Sequence, residues 1–234
     1  MGGGLAPRVL INTIMHPRFS VLPLMCLLVS VTPLKADENS VTATSLLREM
    51  NIARQNPALY ASYVEEMQSH FDGQHLILPG GTRLRTKEGS RALDEAIRFL
   101  KHSRPQAPLS LSAGMCRAAA DHCADQAGGR RGHDGSDRSN PGSRISRYGQ
   151  WTRGWAENIA YGKTNARDII LALIIDDGLP ARKHRKNIFN PKWNVAGAAF
   201  GPHATYRTVC SMEFAGGYSD QAPTTGQALV ARNF

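Results

Sequence analysis

The last third of the sequence contains the feature that most restricts the fold. VAGAAFG at 195–201 and RTVCSMEFAGGY at 207–218 both alternate in character, and only the short turn-forming GPHATY joins them. Alternation with a period of two marks strands, and a connection this short makes them an antiparallel pair. The small residues let a helix approach one face closely. The chain before them is helical in period. TSLLREMNIARQNPALYASYVEEMQSHF carries Leu46, Leu47, Met50, Ile52 and Ala53, then Leu59, Tyr60, Tyr63 and Val64, at helical intervals. Pro57 divides this stretch into two helices, because the residue before a proline is pushed out of the α region while proline itself suits a first turn.

SRALDEAIRFLKH at 90–102 has Leu93, Ala96, Ile97 and Leu100 on one face. Pro105 and Pro108 break the chain before a further helix, capped by Ser112 and stopped at Gly128 and Gly129. Asn165 caps ARDIILALIIDDG, which ends at Gly178 and Pro180. The turn-rich stretch from Phe71 to Gly89 reads as a loop with at most a short strand, and further short strands are expected around 145–162. Regular βαβ alternation is missing, so the class is α+β.

At 234 residues and 41% hydrophobic content the chain suits one good core. Residues 1–36 read as a secretory signal peptide: a basic start, the apolar run FSVLPLMCLLVSV at 19–31, then TPLKA before an acidic DENS. The apolar run is too short to span a membrane. Cleavage after Ala36 is expected, with Met15 as an alternative initiator, and it discards Cys26. Residues 37–44 come next as a linker, 45–218 as the domain, and 219–234 as a flexible tail. About a third of the formal charge of +9 sits in the leader, on Arg8, Arg18 and Lys35. The remaining basic surface favours anionic partners without naming one.

Three polar side chains stand outside core-like surroundings. His133, Glu157 and His184 lie 24 and 27 residues apart, each embedded in Gly, Asn or Arg. These spacings exceed one helix face, and no local zinc motif such as HExxH occurs, so only the fold can bring them together. His122 falls on the buried stripe of its helix and reads as a hydrogen-bonded core residue. Tyr148, Trp151, Trp155 and Tyr161, interleaved with Arg144, Arg147 and Arg153, suggest stacking on nucleic acid. No nucleic-acid signature accompanies them, and they are expected to cover the rim of a cavity instead.

GH at 132–133, AENIAYG at 156–162, KHRKNIFNP at 183–191, VAGAAFGPH at 195–203 and CSMEFAGGY at 210–218 together resemble the CAP superfamily, the SCP-like extracellular domain of cysteine-rich secretory, venom allergen and plant pathogenesis-related proteins. The resemblance implies an α-β-α sandwich with a small central antiparallel sheet. It also implies a cavity carrying two histidines and two acids, and some members hold a divalent ion there. His133, Glu157 and His184 match three of these positions. Ala156 and Lys183 stand where the family usually has glycine. The second acid has no clear match; Asp176 or Asp177 is nearest, and Asp177 is favoured because it lies three and four residues beyond Ile174 and Leu173. Two imidazoles with a carboxylate suit zinc as the cofactor and are a poor match to calcium. A metal-free network in which Glu157 orients a histidine is the competing expectation.

The expected function is a secreted, monomeric, non-catalytic domain whose cavity binds an extracellular lipid, sterol or glycan, without nucleic acid and without stable membrane insertion. The alternative is a hydrolase using Ser136 or Ser139 with His133 and Asp137, or a zinc-bound water; no GxSxG elbow supports it. Cys116 and Cys123 are seven residues apart on one helix, about 10.5 Å along its axis, too far to bridge. Any intrachain disulfide must therefore use Cys210, with Cys116 the favoured partner; three buried, reduced thiols are the alternative.

Overall fold

The computed structural model describes residues 1–2, 41–77 and 81–221. The chain divides after residue 35, and every helix and strand described belongs to the second unit. The leader, Cys26 and most of the linker and tail lie outside the described residues.

Two helices open the domain. Helix α1 (Ala43–Gln55) starts at Thr42, whose side chain forms a reciprocal capping box with Ser45. Helix α2 (Pro57–Gln68) starts with proline, capped by Asn56. The stretch read as a loop is instead a small antiparallel sheet of β1 (Phe71–Asp72), β2 (His75–Ile77) and β3 (Arg83–Arg85). Its strands have two or three residues each, too few for a periodic pattern to register. Helix α3 (Ser90–His102) comes next, then β4 (Ser110–Leu111) and α4 (Ala113–Gln126), capped by Ser112.

Helix α5 (Pro141–Ile145) precedes β5 (Gly149–Tyr161), one 13-residue strand where several short ones were expected. Helices α6 (Ala166–Ile175) and α7 (Lys183–Ile188) lead to the hairpin of β6 (Val195–His203) and β7 (Arg207–Asp220). Strand β7 runs two residues into the segment read as tail, pairing Ser219 with Gln150 and Asp220 with Gly149. The main sheet has the order β4-β6-β7-β5, with β4 parallel to β6 and the other pairs antiparallel.

Strand alternation divides the core into the layers of an α-β-α sandwich. Cys210, Met212 and Phe214 of β7 join Ala196 and Ala198 of β6 in the large core with α1, α2, α3 and α6. Val209 and Ala215 point the other way, to Cys123, Met115 and Ala118 of α4 and Ile145 of α5. Gly197 is required there, because a Cβ would run into the α4 backbone at Met115 and Cys116.

The same alternation corrects the disulfide expectation. All three thiols are free, and Cys210 lies on the opposite face of the sheet from Cys123 and from Cys116, whose Sγ accepts from the Ala198 N–H. A bridge through Cys210 would have to cross the sheet. No helix among the described residues is long and apolar enough to cross a membrane.

Candidate functional site

The edge strand β5 organises the site, because consecutive residues on a strand face opposite ways. Glu157 points to the α4 and α5 side and Asn158 to the α6 and α7 side. Glu157 Oε1 meets His133 Nδ1 at 2.7 Å. Asn158 donates to the His184 carbonyl at 3.0 Å and accepts from Asn187 at 2.8 Å. One dipeptide thus fixes both halves of the site.

The chain reaches His133 through Gly132, whose φ of 102° is a glycine conformation. The Gly132 N–H donates to the Tyr161 hydroxyl, and the Gly132 carbonyl accepts from Gln126. His122, 1% exposed, lies beside that carbonyl at 2.9 Å, in the structural role expected for it. Arg144 donates to the His133 and Ser139 carbonyls and to Glu157 Oε2, the last at 2.6 Å. Ser211 donates to the same carboxylate oxygen at 3.1 Å. Burial opposes ionisation of Glu157, but the bond from His133 and the charge of Arg144 outweigh it and hold the carboxyl below its usual range.

His184 is held by Asp176, not Asp177. Helix α6 ends at Ile175, and Asp176 comes next in the left-handed conformation, φ 58°. Aspartate tolerates that region better than most residues. Its buried carboxylate meets His184 Nδ1 at 2.7 Å and accepts from the backbone N–H groups of His184 and Arg185 at 3.0 and 3.4 Å. Asp177 instead accepts from the N–H groups of Lys87 and Glu88, away from the site. Extending the helical period past Ile174 points to Asp177, but the helix has ended by then and the period no longer applies.

A buried ionic brace supports this segment. Arg182 donates to Glu88 and Glu95, and Arg185 donates to Glu95 and to the carbonyls of Ile174 and Ile175. The paired guanidinium of Arg182 pulls Glu88 down to about 2. From below, Arg54 donates to the carbonyls of Ala107, Ile188, Asn190 and Trp193, fixing the exit from α7.

Between these walls lies a hollow of about 290 Å³. His133, Glu157 and His184 line it together with Asn187 and Lys183, and Leu179, Pro180 and Ala181 add apolar surface to the lining. The three distant residues singled out in the sequence therefore share one hollow. The aromatic residues expected at the rim do not line it: Tyr148 and Trp155 pack against the Met115 and Ile145 cluster, and Tyr161 against Cys123 and Ile159.

As a metal centre the site is short of donors. Both Glu157 oxygens are engaged, Oε1 by His133 and Oε2 by Arg144 and Ser211, so Glu157 serves as an anchor for a histidine. With Nδ1 committed to a carboxylate in each ring, one Nε2 per histidine is left, half of a tetrahedral shell. Among the described residues no three His, Cys, Asp or Glu side chains are grouped to hold a metal ion. The serine arrangement is also not assembled. Ser136 Oγ donates to Asp125, while Asp137 accepts from the Ser139 N–H and from Arg147, so neither meets His133.

The sequence profile described as the cysteine-rich secretory protein family, CAP, matches residues 47–214. Among curated proteins no match is found. Among solved structures the chain is similar to an extracellular protein containing an SCP domain from Bacillus anthracis, at 18% identity and a TM-score of 0.39, over 51% of this chain and 37% of that one. It is similar to an outer surface protein from Borrelia burgdorferi at 16% identity and a TM-score of 0.39, over 47% of this chain and 78% of the other. A cysteine-rich secretory protein from Staphylococcus aureus aligns at 14% identity and a TM-score of 0.33, over 58% and 41%. The chain thus spans well under half of the first of these proteins.

Proposed function

This chain belongs to the cysteine-rich secretory protein (CAP) family, and from that premise we propose that it is an exported, non-catalytic binding domain whose hollow receives one end of an amphipathic small molecule of the lipid class. The observation that carries the reading is the composition of the walls: two oriented imidazoles with Glu157, Asn187 and Lys183, together with the apolar Leu179, Pro180 and Ala181. A volume of about 290 Å³ lies at the small end of ligand pockets, which run from roughly 300 to 1,000 Å³. It fits a polar head with a few methylenes better than an entire sterol. The walls carry no aromatic platform for a sugar ring, which puts a glycan behind a lipid.

The test uses purified protein with octanoate, cholesterol and chitotriose as probes. Saturable binding of octanoate, weakened about tenfold or more by Leu179→Asp, is expected, since removing a contact of this size costs about 1.5–3 kcal/mol. Binding of chitotriose alone, or of none of the three, overturns the proposal. A fluorophosphonate probe addresses the hydrolase reading: labelling that disappears in Ser136→Ala would favour an enzyme, and the Ser136–Asp125 pairing argues that none occurs.

A further inference from the structure

The register of the main sheet sets another acid behind the site. Glu213 of β7 lies directly opposite Glu157 of β5 and points to the same side, under α4. It is fully buried, and neither of its carboxyl oxygens has a hydrogen-bond partner. A buried polar group without a partner is costly and requires an explanation.

The surroundings provide one. From β5, Glu157 faces Glu213; from α5, Arg144; from α4, the Cys123 thiol, with His122 beyond it at 3.8 Å from Glu157; and β6 contributes only Gly197. Arg144 brings the cation, and it is already paired with Glu157 at 2.6 Å. An ionised Glu213 would place a second negative charge beside Glu157 in a buried layer, with no protein donor turned toward it. A carboxylate only accepts hydrogen bonds, whereas a protonated carboxyl can also donate. Glu157, its register partner on β5, offers an acceptor.

We propose that Glu213 keeps its proton in the folded protein at neutral pH and donates it in a hydrogen bond to Glu157, which makes Glu213 the positioning residue for the carboxylate that anchors His133. The pair then carries one negative charge, matching the single positive charge of Arg144. Burial first, and the neighbouring Glu157 charge second, push the Glu213 carboxyl well above the usual carboxylate range, in keeping with this arrangement. The inference does not depend on which ligand enters the hollow.

Two variants test it in the full domain. Glu213→Gln reproduces the shape and the donor of the protonated acid, whereas Glu213→Met fills the space without a donor. Infrared spectra at pH 7 are expected to contain a protonated-carboxyl band that is missing from Glu213→Gln. An unfolded glutamate releases its proton above pH about 4.3, while the folded one retains it, so wild-type stability falls as pH rises from there. The urea midpoint of Glu213→Gln therefore coincides with wild type near pH 4 and exceeds it increasingly toward pH 8. The nitrogen-15 signature of the His133 Nδ1–H tautomer persists in Glu213→Gln and is lost in Glu213→Met. A missing carboxyl band, a urea difference that does not change with pH, or a His133 signature unaltered in folded Glu213→Met overturns the proposal. If Glu213→Met does not fold, the first two measurements decide.

Discussion

Replacing Asp176 with alanine is expected to destabilise the domain by about 4 kcal/mol. Three losses add up. The carboxylate accepts from the His184 and Arg185 N–H groups at the start of α7, a cap worth about 1 kcal/mol. Its buried bond to His184 Nδ1 is charge-assisted and worth about 1.5–3 kcal/mol. Alanine must then occupy the left-handed region at φ 58°, which costs about 1 kcal/mol. For a domain of this size the melting temperature drops by about 8–16 °C. Asp176→Asn tolerates the backbone and keeps one acceptor, so it loses less than half as much. Asp177→Ala removes two bonds at a partly exposed position and costs about 1 kcal/mol. Urea denaturation with a constant slope measures all three. An Asp176→Ala midpoint within about 0.5 kcal/mol of wild type, or an Asp177→Ala loss as large as that of Asp176→Ala, refutes the assignment of Asp176 as the acid that holds His184.

Arg144→Met leaves Glu157 as an uncompensated buried charge and should cost about 3–5 kcal/mol by the same assay. Glu88 is held at about 2 when folded against an ordinary 4.5; a depressed folded value means stability present above 4.5 and lost as pH falls toward 2, so Glu88→Gln should flatten acid unfolding in that window. Gly197→Ala drives a methyl into the α4 backbone, and at least about 3 kcal/mol of destabilisation is expected in thermal melts. Burial raises the Cys123 thiol to about 12 and pushes the Cys210 thiol well above its ordinary range; in the native protein, thiol reagents should modify partly exposed Cys116 first and the other two only on unfolding.

Elements whose patterns are long enough to repeat are legible in the sequence. The helices from Ala43 to Gln126, the caps at Ser112 and Asn165, and the closing hairpin all follow from periodicity and capping chemistry. His133, Glu157 and His184 are identifiable because polar residues there interrupt no core stripe. Other features depend on pairing across the sheet, which local pattern does not encode. Glu213 reads in sequence as one polar position in an alternating strand, and only the β5–β7 register brings it opposite Glu157. The opposed faces of Cys123 and Cys210 have the same origin. Asp176 is obscured because the helix stops with its apolar run at Ile175, short of the glycine at 178 that marks its end in the sequence, and the role of Asn158 becomes apparent only when α7 lies against it.

The proposed function requires two imidazoles, fifty-one positions apart in the chain, to meet the same guest. Histidine-resolved NMR during an octanoate titration addresses that directly. The resonances of His133 and His184 are expected to move together along a single saturation curve, with His122 unaffected. A shift in only one of the two, or two curves with different midpoints, contradicts it.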